Sequence, residues 1–513
     1  MHKPEPLEHS MRKAHDTQLK LDVPAHLDIE FDPHSRHELE PILMALKHLY
    51  DNPQVLKPIL KLIAKDVVGD KAPHRGCPGL SYWEILVLAA TRLGCNLDYD
   101  ALADLANHHK KLRRLMGVGD WEDEKRFPYN TIRDNIVKLS EATIRQISHV
   151  IVAEGHRLKP EAIKKVHGDS VVVQTNIHYP TDSSLLVDGI RKMLSVSAKL
   201  GAMFALTTWQ HYRTRLRPAK HLHRKIQKIA SSRRADKNEK LKEPYQQLLA
   251  EAVTIASQAF EFKQNLNVAI LAPKVAQAKA QKLIGELEYF LLVTLYVAWQ
   301  AESRVLNEEA VPNDQKIFSL FEIHTELINR GKVPFPIEFG HRCFFVEDQI
   351  GFIVDFKVME NGLTDEKVVV PLMKALQKRM QNRIEVASFD KGCYTPSNVK
   401  ELEAIVNVAC LPKKGYLTGE AKLREDATPF RKARRWHPGI ESAIHALVVG
   451  KAVCRDKGAA GYHSYVALGV WVAIFIPWAR FCSTRRALSK SHSVAPLKKQ
   501  PQVVRARAEY LFK

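Results

Sequence analysis

The segment that most limits how this chain can fold is residues 166–175, VHGDSVVVQT, because the stretch after it is the wrong length for a loop. Its density of β-branched residues predicts a strand. After Leu185 the apolar residues recur at helical spacing, and strand texture returns only at 343–346, CFFV. A gap of about 150 residues cannot be a structureless connection inside a compact domain, so a folded helical insertion is expected at about 186–335.

Beyond the insertion the pattern predicts a hairpin turning at 347–349 and continuing through 350–358. A helix follows at 368–380, with Pro371 kinking or starting it. Then come a strand at 384–389, a helix at about 396–406, a strand at 406–411 and a helix from Pro438. Without the insertion the order is strand, hairpin, helix, strand, helix, strand, helix. That is an α/β arrangement, a mixed sheet flanked by helices, and it matches an RNase H-like succession.

The flanking regions read differently. Residues 1–35 are polar and proline-punctuated, expected to form a flexible arm without a secretory signal. Residues 36–160 repeat apolar positions at helical spacing (Ile42, Leu43, Leu46, Leu49; Ile85, Leu86, Leu88, Leu93) and carry HHKKLRRL at 108–115, predicting an all-α DNA-binding domain. The catalytic region spans 161–478, and 479–513 is a basic tail with nine Lys/Arg and one acid. The apolar stretch 465–478 is shorter than the roughly 20 residues that cross a bilayer, so it is expected to be a buried helix, with no membrane partner.

Charge points to a polyanion. Lysine and arginine number 77 against 57 acids, a net charge of +20. The excess concentrates in 211–242, where twelve Lys/Arg face two acids, more than i,i+4 pairing produces. Arg213, Arg215, Arg217, Arg224 and Lys225 are therefore candidate DNA contacts. Seven scattered cysteines without a CxxC pair suggest reduced thiols in a cytoplasmic protein, and a DNA partner would make it nucleoid-associated. The chain lacks GxxxxGK[ST], so ATP use is not implied.

The chemistry is carried by three acids. Asp169 interrupts an apolar strand, and Asp390 ends another, IEVASFD. Burying such carboxylates is costly unless something neutralises them. Neighbouring strands lie about 4.8 Å apart, so two aspartates at matching heights can share a hard cation. Glu441, on a helix opened by His437-Pro438, approaches from the side and holds a second ion. Two metals about 3.5–4 Å apart activate the attacking oxygen and stabilise the leaving one in phosphodiester displacement.

HGDSVVVQTNIHYPTDSSLL, IFSLFEIHTELINRGK, SFDKGCYTPSNVKEL and RRWHPGIESAIHALV together resemble bacterial insertion-sequence transposases of the DDE type, from about 164 to 468. The resemblance implies an RNase H-like catalytic domain with Asp169, Asp390 and Glu441 as catalytic acids and metal ligands. It also implies two Mg²⁺ or Mn²⁺ ions, and double-stranded DNA as transposon ends with inverted repeats and as target, with a homo-oligomer assembled on it. Some relatives carry tyrosine and arginine before the glutamate and lysine after it. Here those offsets hold Arg434, His437 and Val448, so hairpin-forming chemistry is not implied. Arg434 or Arg435 is a candidate phosphate contact, and His437 is read as a cap. Asp182 is read as a turn residue, and His178, His324 and His445 as structural. Cys393 would favour soft metals, contrary to oxygen ligands. Two rivals stand beside a transposase: a structure-selective nuclease on the same fold that does not join, and a DNA-binding regulator without catalysis.

Overall fold

The structure, a computed structural model, describes residues 29–32, 35, 37–69, 79–119, 124–331, 336–360, 362–444 and 453–493. Residues 1–28 of the expected arm, His445, Val448 and the tail beyond Ser493 lie outside them.

Among the described residues seven α-helices come first: α1 (Leu39–Tyr50), α2 (Pro53–Val68), α3 (Tyr82–Gly94), α4 (Tyr99–His108), α5 (Lys110–Leu115), α6 (Tyr129–Ile136) and α7 (Glu141–Leu158). Local chemistry sets their starts. Ser81 accepts from the Glu84 amide while the Glu84 carboxylate accepts from the Ser81 amide, a reciprocal cap on α3. Ser140 caps α7 through the Thr143 amide.

After α7 comes β1 (Lys165–Thr175), followed by five helices: α8 (Asp182–Met203), α9 (Tyr212–Arg215), α10 (Arg217–Ala230), α11 (Lys237–Gln264) and α12 (Lys274–Ala301). The strands resume as β2 (Glu326–Asn329), β3 (Ile337–Asp348) and β4 (Ile353–Met359). The chain continues through α13 (Asp365–Arg379), β5 (Val386–Phe389), α14 (Pro396–Glu403), β6 (Val408–Cys410), α15 (Gly419–Asp426), α16 (Thr428–Trp436), α17 (Ile440–Ile444), β7 (Val453–Cys454) and α18 (Gly458–Ser493).

Among the described residues the seven strands form one mixed sheet. Its main path runs β2-β3-β1-β5-β6, with β4 also paired to β3 and β7 to β1. β1 is antiparallel to β3 and parallel to β5 and β7. The fold is thus α/β, with a mixed sheet flanked by helices. Two predicted details shift. The α13 helix starts at Asp365, so Pro371 lies inside it. The apolar segment belongs to a helix far longer than 465–478, whose Gly458–Ala479 stretch is long enough to span a bilayer by length and composition, yet most of it is buried within the fold. It packs against α1, α3, α7 and β4.

That packing joins the first seven helices to the sheet. Buried side chains from Leu39 to Val152 share one continuous core with Phe344, Phe356, Ala387, Phe389 and Trp471. Trp471 Nε1 donates to the Ile144 carbonyl at 3.0 Å, and the buried Arg92 pairs with Asp456 at 2.6 Å. The insertion has a core of its own, from Leu185 on α8 to Leu320. There α8 and α12 approach so closely at Gly189 that an added Cβ would stand 2.1 Å from Thr294 Oγ1.

Candidate active site

β1 and β5 run parallel with Gly168 opposite Phe389, so Asp169 and Asp390 each stand one residue beyond that rung. The rung itself is tight. A Cβ on Gly168 would come within 2.7 Å of Phe389 and 2.9 Å of Phe344, so the strands close up beside the first acid because residue 168 has no side chain. Glu441 arrives from the other end of the chain on α17, whose Ile440 is fully buried against the sheet. The turn before it is pinned by rings. Trp436 stacks on His167 of β1 at 3.9 Å with 3° between planes, and His167 Nε2 meets Glu347 Oε2 at 2.8 Å.

Asp169, Asp390 and Glu441 line one cavity of about 550 Å³. They are not equally withdrawn from water: Asp169 is half-buried, whereas Asp390 and Glu441 are exposed. The Asp169 carboxylate accepts from the Ser170 amide at 2.7 Å. Burial nevertheless pushes its pKa from 3.8 up to about 6; Asp390 and Asp365 push the same way, and Arg330 opposes them.

Several lining residues escaped the sequence reading. Asp365, first residue of α13, joins the acids, and its Oδ1 is buried without a hydrogen-bond partner. An acid followed by Glu and Lys at a helix start looks like an ordinary dipole-compensating charge, so no local signal marks it. Arg330 and Arg342 line the same cavity. Arg342 was legible in principle, as a lone cation entering the apolar run CFFV. His437, read as a cap, ends α16 and also lines the cavity. Burial, then neighbouring His167, hold its pKa below the usual imidazole value against the pull of Asp390 and Glu441.

Other candidates lie elsewhere. Arg434 and Arg435 are exposed but do not line the cavity, and Arg434 faces Glu425 at 3.4 Å. Asp182 is buried as the first residue of α8, receiving Gln300 at 2.7 Å and Arg304 at 2.6 Å, which ties α8 to α12 and the turn after it. His324 Nδ1 lies 2.9 Å from His341 Nε2, and His178 lies 3.6 Å from Asp188. Cys393 is buried near the three aspartates, and that burial raises its thiol pKa, so it is held protonated. In the insertion Arg213, Arg217, Arg224 and Lys225 are exposed, and Lys225 approaches Glu243 at 3.5 Å. Arg215 is half-buried, lies 4.3 Å over the Trp209 ring and donates to Gln258.

Among the described residues no three His, Cys, Asp or Glu side chains stand close enough together to hold a metal ion as they are placed. Comparison with protein-family models, curated proteins and solved structures found no match.

Proposed function

We propose that this chain is a DNA transposase with an RNase H-like catalytic core, which hydrolyses phosphodiester bonds at transposon ends and transfers the freed strands to target DNA. The observation that carries this reading is the common cavity of Asp169, Asp390 and Glu441, three acids distant in sequence and singled out by motif. The central β1, its antiparallel partner β3 and the parallel β5 and β6 support the RNase H-like reading of the sheet.

The donors fit Mg²⁺ or Mn²⁺ in chemistry: all are carboxylate oxygens, Asp365 Oδ1 lacks a partner, and the Asp169 charge is disfavoured by burial. Such ions, held by Asp169, Asp390 and Glu441, would activate the attacking oxygen and stabilise the leaving one. The protein's own groups would do the rest. Arg330 and Arg342 would bind the phosphate, and neutral His437 would accept or relay a proton beside Asp390 and Glu441. The N-terminal helices would act as the DNA-binding module, with the exposed cations of α10 holding flanking duplex.

The discriminating experiment offers the full chain a duplex carrying the inverted repeats that flank its gene, together with a target plasmid and Mg²⁺. Joined product is the expected result. Cutting without joining would assign a nuclease instead. Sequence-specific binding with neither reaction would assign a regulator without catalysis.

A further inference from the structure

The insertion carries an apolar face that its own core does not use. On α12, Leu292 is 72% exposed, Leu295 42%, Tyr296 39% and Trp299 45%; on the adjoining α11, Val253 is 47% and Phe260 49% exposed. Positions 292, 295, 296 and 299 fall on one side of a helix, with the three-and-four spacing of a coiled-coil seam. A groove of about 540 Å³ between the two helices is lined by Phe260, Leu292 and Leu295 among others. Six partly exposed side chains of this size present roughly 500–700 Å² of apolar surface, at or above the largest patch of a typical monomer. A standard interface buries about 800 Å² per partner, so this face with its rim is large enough for one.

We propose that this face is a dimer interface, in which α11 and α12 of one copy pack on the same helices of a second copy to make a four-helix bundle about a two-fold axis. Charge decides the occupant. The two ionic groups lining the groove, Lys263 and Glu288, pair with each other at 2.9 Å, so the surface is neutral and has no unspent cation for DNA. A two-fold contact brings a patch against itself, which a neutral apolar stripe tolerates and a strongly basic one does not. The α10 helix, with its exposed Arg217, Arg224 and Lys225, is an example of the latter. The inference stands on the exposed face and not on the catalytic reading.

The test is sedimentation velocity of the full chain without DNA, beside the double variant Leu292→Glu/Leu295→Glu. Wild type should sediment as a dimer at micromolar concentration. The variant should dissociate at least about 100-fold more readily, since it would bury carboxylates without partners. Its circular dichroism should match wild type, because both leucines are exposed in the single copy, and its melting temperature should lose only the concentration-dependent part that association supplies. A second variant, Leu292→Cys, should form a disulfide between copies under mild oxidation. A monomeric wild type overturns the proposal, as does a double variant that dimerises as well as wild type. A monomeric wild type in which deleting residues 494–513 speeds hydrogen exchange across 289–299 would overturn it in favour of those residues covering the face.

Discussion

Replacing Asp169 by asparagine should stabilise the protein when no divalent cation is present. The side chain keeps its shape and its acceptor for the Ser170 amide, but loses a charge that burial and two neighbouring carboxylates disfavour. A pKa raised from 3.8 to about 6 corresponds to about 3 kcal/mol against the ionised form. Partial exposure of the site screens part of this, so we expect a gain of about 1–2 kcal/mol near pH 8. The sign is set by proton binding. Between 3.8 and about 6 the folded chain holds a proton that the unfolded chain has released. Stability therefore falls as pH rises through that window, and the full cost is present above it. The asparagine variant lacks this dependence, so its advantage should vanish below pH 3.8. Urea denaturation in chelator at both ends of the window, followed by circular dichroism, measures the difference. An Asp169→Asn protein less stable than wild type near pH 8 would refute the reasoning, because it would mean the carboxylate serves the fold as an acceptor.

Other perturbations report on the surroundings. His463 lies between Glu141 at 3.0 Å and Glu360 at 2.8 Å, which raises its pKa to about 8. The link between α7 and α18 should therefore contribute about 1 kcal/mol below pH 6.5 and lose it as pH rises through 8; a His463→Gln variant should melt with no such step. Gly189→Ala should loosen the insertion by about 1–3 kcal/mol, seen as faster hydrogen exchange in α8 and α12 while β1 stays protected. Trp436→Ala should remove the ring stacked on His167, costing about 1–2 kcal/mol and more activity than stability, because Glu441 comes directly after that turn. Replacing Arg217, Arg224 and Lys225 by glutamine should flatten the salt dependence of DNA binding by up to about one unit of slope for each phosphate no longer neutralised; an unchanged slope would make them a solvated face.

Much of the sheet was legible because its signals are local. The β-branched run of β1, the strand ending at Phe389 and an insertion too long for a loop each needed only neighbouring residues to be read. The first two acids were legible for the same reason, as charges in or at the end of apolar strands. The features that escaped depend on distance. His167 and Trp436 are 269 positions apart, and no periodicity announces that one ring lies on the other. The same holds for Arg92 and Asp456, and for the single core shared by the N-terminal helices and the sheet. Asp365 was hidden by an ordinary helix start, and Asp182 resembled a turn residue until Gln300 and Arg304 folded back to it.

On the proposed function, Asp169, Asp390 and Glu441 act as one metal-dependent centre for cutting DNA. Strand cleavage of an end-containing duplex in Mg²⁺, Mn²⁺ or chelator reads this out. Wild type is compared with Asp169→Asn, Asp390→Asn and Glu441→Gln, each checked for unchanged DNA binding. Wild type should cleave with either metal and not in chelator, and every variant should lose at least about 1,000-fold. Robust cleavage in chelator, or by any one of the three variants, would contradict the proposed function.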